Sequence, residues 1–195
     1  MKRSVAGKFS KNAGIIIMLA AAELVLFVLL AQHLYPNYSL NYNYISDLGV
    51  NPATAIIFNT AIQLFGVVLI AAAYLLFRSG RKYQAIGFLI AAIGGIGVGT
   101  FPETTGFPHI FSALVVFGSI SIASICFSRV FKAPLSYYSL ATGLLALIVL
   151  GISVMNMLGA QVNLPLGHGG VEEILFYDEL IWAFVAGISY LKGRI

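Results

Sequence analysis

The sequence predicts an all-α polytopic membrane protein, with six transmembrane helices in one bundle and both termini in the cytoplasm. Three observations indicate this class. Hydrophobic residues make up 59% of the 195 residues and charged residues only 9%, whereas a soluble domain has about 25% charged residues. Apolar runs long enough to cross a bilayer occur six times. Basic residues lie in every second loop between these runs and at the two ends of the chain.

The composition also excludes several protein classes. Mean hydropathy is +0.94, and a soluble fold of this length has too little interior to bury so much apolar surface. A water-soluble domain, a disordered chain and a nucleic-acid-binding protein are therefore excluded. The single cysteine, Cys126, excludes an intramolecular disulfide. We expect one transmembrane domain spanning residues 1–195.

The six spans are predicted in chain order at Ala13–Leu34, Ala53–Phe77, Gln84–Phe101, Ile110–Phe127, Leu140–Leu158 and Ile174–Leu191. The first apolar run is too long for a typical cleaved signal peptide and indicates a helix. Asn51 and Pro52 predict the start of the second helix. In the third, Ala91, Gly95 and Gly99 recur every four residues, a pattern typical of close helix packing in lipid.

Local signals also mark the remaining three helices. Pro108 predicts the start of the fourth helix. Ser136 is predicted to cap the fifth. Glu172 and Glu173 fall in the first turn of the sixth, where the helix dipole favours negative charge.

The basic residues predict the orientation of the chain. Cationic connections stay in the cytoplasm, and an even number of spans places every basic residue on one side. The 11 residues are Lys2, Arg3, Lys8, Lys11, Arg78, Arg81, Lys82, Arg129, Lys132, Lys192 and Arg194. We therefore expect a multi-pass protein of the cytoplasmic (plasma) membrane with both termini inside.

Acidic residues and histidines gather at the opposite side of the predicted bundle. They are Asp47, Glu103, Glu172, Glu173, Asp178, Glu179, His33, His109 and His168. The outer segments Tyr35–Pro52, Pro102–Pro108 and Gly159–Glu173 hold or adjoin most of them. The first and last segments are long enough to fold over the mouth of the bundle. Functional chemistry is therefore expected on the outer face.

Candidate catalytic residues are Asp47, His109, His168 and Glu172. If the sixth helix began one turn earlier, His168 and Glu172 would be four residues apart on one face, a spacing that suits two ligands of one metal ion. Nearby glycines oppose such an extension. Together with Glu103, these two residues are the candidate metal ligands, and their oxygen and nitrogen donors would suit a divalent metal ion as cofactor. The alternative is that the same side chains cap helices and face water.

A second candidate group lies inside the membrane. Glu23 is near the middle of the first span, where a charge is costly. Asn59 and Gln63 share a face of the second helix and are its expected partners. Glu179 lies on the sixth helix. Together these residues form either a hydrogen-bonded packing cluster or a path for protons or ions.

Several segments, taken together, resemble a prokaryotic and largely archaeal membrane family catalogued as domain-of-unknown-function 998. They are Tyr35–Ser39, Asn43–Gly49, Ile57–Asn59, Gly99–Glu103 with His109, and Gly169–Glu172 with Tyr177, Leu180 and Trp182. The stretch Ile45–Gly49, Ile-Ser-Asp-Leu-Gly, is the most specific. The resemblance implies a six-helix integral membrane protein and implies no activity.

The chain departs from the pattern of that family at two positions. Where the family usually has Arg and Pro, this chain has Glu173 and Asp178. The change replaces a cation with acidic groups near the outer mouth, and we expect it to favour cation binding.

Three functions stay open. The leading prediction is an accessory or structural subunit of a membrane complex, because the loops are short and no strong catalytic motif is present. The second is an outer-leaflet enzyme that hydrolyses or transfers part of a lipid with help from a metal ion or carboxylates. The third is a protein that handles protons or cations. The predicted partners are membrane lipids and other membrane subunits, with no nucleic acid.

Overall fold

The computed structural model describes residues 2–160, 162 and 166–193, with side chains from residue 5 onward. Within these ranges it holds six helices long and apolar enough to cross a membrane, and no β-strand. They are α1 (Lys2–Leu34), α2 (Ala55–Arg78), α3 (Lys82–Thr100), α4 (Phe107–Phe127), α5 (Leu135–Met157) and α6 (Gly167–Leu191). Two short 3₁₀ helices, Ile45–Gly49 and Glu103–Thr105, lie in the connections. The predicted all-α class with six spans is confirmed.

The helices form a closed ring in which consecutive helices pack side by side and α6 returns to α1. We call the end that holds the 35–54 and 101–106 loops the acidic end. The opposite end is called the basic end, and its described basic residues are Lys8, Lys11, Arg78, Arg81, Lys82, Arg129, Lys132 and Lys192. The side chains of Lys2 and Arg3, and all of Arg194, lie outside the described residues. The cytoplasmic location of the basic end stays a prediction.

All six helices begin at other residues than the sequence predicts, and the largest difference is in α1, which begins at Lys2 instead of Ala13. α6 begins at Gly167 instead of Ile174, and α5 begins at Leu135, which places Ser136 inside the helix instead of at its cap. α2 begins at Ala55, because Asn51 uses its side-chain oxygen to accept the Ala53 amide in a preceding turn, at 2.9 Å. Pro108 does lie in the first turn of α4, as predicted.

Small residues bring neighbouring helices into close contact. A Cβ atom on Gly99 would lie 2.6 Å from the Asn59 carbonyl oxygen of α2, and one on Gly94 would lie 2.5 Å from the Val116 nitrogen of α4. Ala91 is fully buried on the same helix. The predicted close packing of the third span is therefore confirmed, because helix backbones this near leave no room for side chains.

Aromatic rings fill the half of the bundle nearer the basic end. Trp182 stacks on Phe88 and meets Phe127 edge to face. Its indole nitrogen donates to the Ser139 hydroxyl at 2.8 Å. Ser139 and Ser124 in turn exchange hydroxyl-to-carbonyl bonds between α5 and α4, at 2.7 and 2.9 Å. The polar groups of Trp182, Ser139 and Ser124 thus all have partners, which a buried site in lipid requires.

Gly14 is expected to be essential to the crossing of α1 and α6. A Cβ atom there would lie 2.5 Å from the Gly187 carbonyl oxygen and 2.8 Å from Cβ of Tyr190. Gly14→Ala should therefore force the helices apart and lower the melting temperature of the detergent-purified protein. Gly151→Ala on α5, where nothing lies within 4 Å, is the matched control. It should leave the melting temperature unchanged or raise it, since alanine favours the helix. Equal effects of the two variants would contradict this packing.

Candidate functional site

The 35–54 loop folds over the acidic end and is anchored through its 3₁₀ helix. Ile45 and Leu48 are buried under the loop. The Thr54 hydroxyl donates to the Leu48 carbonyl oxygen at 2.8 Å, and the Asn59 amide donates to the Gly49 carbonyl oxygen at 2.9 Å. The loop therefore packs as a folded lid that α2 holds in place.

Asp47 stabilises this 3₁₀ helix at its start. Its Oδ2 accepts the backbone N–H of Tyr44 at 3.1 Å and the side-chain amide of Asn43 at 3.0 Å. The Asn43 side-chain oxygen accepts the Ser39 amide at 3.0 Å. These bonds satisfy donors that the turn would otherwise leave without partners. Asp47 therefore has a structural role in the loop.

Glycines let the same loop lie directly on the start of α6. A Cβ atom on Gly169 would collide with the Asn43 carbonyl oxygen, and one on Gly167 would collide with that of Asn41. The packing of the loop overrides the poor helix propensity of glycine, and α6 therefore extends back to include His168. The His168 side chain is exposed, with its ring centroid 6.3 Å from that of Tyr44.

Glu172 joins α6 to the loop. Its Oε2 accepts the backbone N–H of Ile45 at 2.7 Å. This distance is at the short end of the range for N–H···O hydrogen bonds. The bond fixes the Glu172 carboxylate beneath the lid, near the carboxyl groups of Glu103 and Asp47.

A cavity of about 310 Å³ opens beneath the lid between α4, α5 and α6. We call it the acidic chamber. Its polar lining consists of Tyr44, Ser46, Glu103, His109, Ser153 and Glu172. The rest of its wall is apolar and runs along α4 and α5 through Leu114, Phe117, Leu150 and Met157. Leu114 and Met157 are exposed on the outside of the bundle, so the apolar part of the chamber continues to the surface that faces lipid.

The loop groups around the chamber favour their protonated forms. Burial, together with the negative charge of nearby Asp47, raises the pKa of the Glu103 carboxyl. Burial also raises the pKa of the Tyr44 hydroxyl, and the charges of Glu172, Glu103 and Asp47 add to this effect. Carboxyl groups crowded together in a partly dry site cannot all ionise. At least one of them is therefore poised to carry a proton.

His109 lies in the first turn of α4 and lines the chamber. Its Nδ1 lies 2.8 Å from the Phe101 carbonyl oxygen. A carbonyl oxygen only accepts hydrogen bonds, so Nδ1 carries the proton. In the neutral ring, Nε2 is then the unprotonated nitrogen that is free to bind a proton or a ligand.

The structure brings together part of the predicted site. Of the four candidate catalytic residues, His109 and Glu172 line the chamber, whereas Asp47 holds the loop and His168 lies outside on the surface. The candidate metal set was His168, Glu172 and Glu103. In the part of the chain that the structure describes, no group of three or more His, Cys, Asp or Glu side chains is placed to hold a metal ion.

Glu173 turns away from the chamber, although it follows Glu172 in sequence. A step of about 100° per residue points it towards α1, where it is buried and its Oε1 accepts bonds from Gln32 at 2.6 Å and Tyr38 at 2.8 Å. Contrary to the sequence prediction, Glu173 therefore does not add negative charge at the mouth of the bundle. Gln32 was not identified from the sequence. Its polar amide in the last turn of an otherwise apolar helix could have pointed to it.

The intramembrane polar residues do not form the cluster predicted around Glu23. Asn59 bonds to the Gly49 carbonyl, and Gln63 donates to the Thr100 hydroxyl at 3.3 Å. Both carboxyl oxygens of Glu23 are covered and lack a hydrogen-bond partner among the described residues. The expected partnership was wrong, because the loop engages Asn59 and α3 engages Gln63.

Glu179 is buried and accepts a bond from the Ser121 hydroxyl at 2.7 Å.

Comparison with known proteins gives one match. A family model described as "Protein of unknown function (DUF998)" matches residues 18–189. No curated protein and no solved structure matches the chain. The matched range contains every residue that lines the acidic chamber, so the whole site lies within the family domain.

Glu103 is expected to make the stability of the protein depend on pH. Its pKa is raised in the folded state, so its stabilising contribution is complete below the ordinary value of 4.5 and is lost as pH rises through the folded value. The free energy of unfolding should therefore fall as pH increases above 4.5. Glu103→Gln should weaken this decline in thermal unfolding curves, because glutamine does not titrate.

Thr104→Ala is the control, since it changes an exposed residue of the same 3₁₀ helix. Its melting temperatures should follow those of the unmodified protein at each pH. A pH dependence that is unchanged in Glu103→Gln would contradict the assignment.

Proposed function

The chain belongs to the DUF998 family of membrane proteins of unknown function, and on that premise we propose that it is an enzyme acting on a lipid-like amphiphile. The substrate enters the acidic chamber, and its polar part is hydrolysed or transferred there. One observation carries the proposal: the chamber joins a polar end, with a histidine and two carboxyl groups, to an apolar wall that reaches the lipid-facing surface.

The shape of the chamber supports an amphiphilic substrate. A hydrocarbon chain would lie along the apolar side chains of α4 and α5, and Leu114 and Met157 mark its route from the bilayer. The polar part would then meet His109 and Glu172 beneath the lid. Binding sites of this kind combine a mostly apolar lining with a few polar groups that fix the orientation of the ligand.

The polar groups suit general acid–base catalysis of hydrolysis. Nε2 of neutral His109 accepts a proton from a water molecule as the water oxygen attacks the substrate. Glu103 donates its proton to the departing oxygen, a role that suits a carboxyl with a raised pKa. The proton on His109 then returns to Glu103, which restores both groups. Glu172, held by the Ile45 amide, orients the water.

The orientation of the bundle decides which leaflet supplies the substrate. The described basic side chains lie at the end opposite the chamber, and cationic ends stay in the cytoplasm. We therefore propose that the chamber opens towards the outer leaflet of the cytoplasmic membrane.

The accessory-subunit function is the second candidate, and one residue favours it. Glu23 is half-buried near the middle of α1, and its carboxyl has no hydrogen-bond partner among the described residues. Leu19, Leu26 and Phe27 on the neighbouring surface of α1 are exposed. Because an unpaired acid inside the bilayer is costly, a helix of another subunit that carries a lysine or arginine would stabilise it once the covered carboxyl turns outward.

His109 is expected to be required for turnover, whereas His33 is not. The protein in lipid nanodiscs would be supplied with ester and phosphoester lipids, and water-soluble products would be measured by mass spectrometry. His109→Gln should lower the rate by about 10² or more, the usual contribution of a general base. His33→Gln, an exposed histidine at the same end, is the matched control and should have no effect. Equal rates for the two variants would exclude the proposed role of His109.

Glu23 is expected to matter if the protein is a subunit. Glu23→Leu should release the protein from its native complex, seen as a lower mass on native gels of gently solubilised membranes. Val67→Ala changes an exposed side chain of α2 and should leave the mass unchanged. A monomeric mass for the unmodified protein would contradict the subunit function and leave the enzyme proposal standing.

A further inference from the structure

Glu179 is a buried acid with one oxygen that the fold leaves without a partner. Its side chain is 2% exposed, near the middle of α6. Its Oε1 accepts the Ser121 hydroxyl from α4, whereas its Oε2 is covered and has no hydrogen-bond partner among the described residues. An unsatisfied polar atom at such a depth is costly. The fold retains the acid although an apolar residue would avoid this cost.

Two small cavities lie between Glu179 and the acidic chamber. The lower cavity, of about 30 Å³, is lined by Glu179 and apolar side chains. The upper cavity, of about 20 Å³, is lined by Ser46, His109 and Glu172, which also line the chamber. The two cavities share the residues Ile62, Val116, Phe117 and Phe176. Phe117 borders both cavities and the chamber, so the three spaces follow one another along the bundle.

Tight packing closes the interior on the side of Glu179 that faces the basic end. Below Glu179, Trp182 is fully buried and packs against Phe88 and Phe127, and Phe127 packs in turn against Tyr190. Such close-packed aromatic rings leave no room for water. The space near Glu179 therefore lies towards the acidic end, and tight packing separates Glu179 from the basic end.

We propose that Glu179 is the inner end of a water-filled path that exchanges protons with the acidic chamber alone. The carboxyl carries its proton on Oε2. That proton passes to a water molecule in the lower cavity, then through water in the upper cavity to the chamber, and an equivalent proton returns by the same route. The path does not require that the chamber be an active site.

The dimensions of the two cavities suit this role. A water molecule needs at least about 10–15 Å³ of such space and two or more polar partners. The lower cavity is lined by Glu179, and a water molecule there meets one of the upper cavity when the rings between the two spaces move. The upper cavity offers the polar groups of Ser46, His109 and Glu172. Phe117 and Phe176 separate the two spaces, so small movements of their rings would control the passage.

Few other titratable groups lie near Glu179 on the helices around α6. Asp178 precedes it on the same helix and points towards α5, where Tyr138 lies within its electrostatic reach. Glu23 is the one acid within the bilayer on α1. None of the three forms a hydrogen bond with Glu179, so its exchange should be measurable as a separate event.

Infrared spectroscopy of the membrane-reconstituted protein tests the path. A protonated carboxyl gives a carbonyl band that shifts in D₂O, and Glu179→Gln should remove one such band. If that variant does not fold, Ser121→Ala identifies the band by shifting it, because it removes the bond to Oε1. We expect the band to exchange in D₂O much faster than the amide groups of the buried helices. Absence of the band, or exchange as slow as those amides, would overturn the proposal.

Two variants then test the route. Ala113→Leu fills space that borders the chamber and the upper cavity and should slow the exchange by about tenfold or more, because opening becomes rarer. Phe117→Ala removes the shared wall and should accelerate it. Ala141→Leu and Phe111→Ala change exposed residues and are the matched controls. Exchange that responds equally to the controls, or not at all to Ala113→Leu and Phe117→Ala, would overturn the route.

Discussion

The hydrogen bond from the Ile45 amide to the Glu172 carboxylate connects the parts of the acidic end. It ties the lid to α6 at 2.7 Å, and the lid is also bonded to α2. Without it, the 3₁₀ helix would lack this bond to α6, and the Glu172 carboxyl would lose its fixed position beneath the lid. The glycines at the start of α6 serve the same contact, because they let the loop backbone approach closely enough for the bond to form.

The two halves of the bundle differ in how they use the interior. Towards the basic end, aromatic rings and paired serines fill the space, and the polar groups of Trp182, Ser124 and Ser139 all have partners. Towards the acidic end, the same ring of helices encloses a chamber, crowded carboxyl groups and two small cavities. Side chains that bind a ligand or react need open space beside them and hydrogen-bonding atoms that the fold has not used. The tightly packed half supplies the stability that allows the acidic end to contain such side chains.

Part of the site could be predicted from the sequence, and its failures have physical causes. His109, Glu103 and Glu172 were recognised because the topology fixes their depth in the membrane. The exclusion of His168 from the chamber could not be foreseen, since it depends on where the loop lies over α6. The partners of Glu23 were assigned wrongly because helix periodicity tells which residues share a face and not which neighbouring group that face meets.

The sequence by itself determined the membrane class, the six spans and the separation of basic from acidic residues. These properties depend on local hydrophobicity and on the length needed to cross a bilayer, so they can be read along the chain. Only the tertiary structure decided which side chains meet sideways: the closing of α6 on α1, the lid over the chamber, and the line of cavities from His109 to Glu179. Lateral contacts arise from residues far apart in the chain, and their packing is a property of the whole bundle.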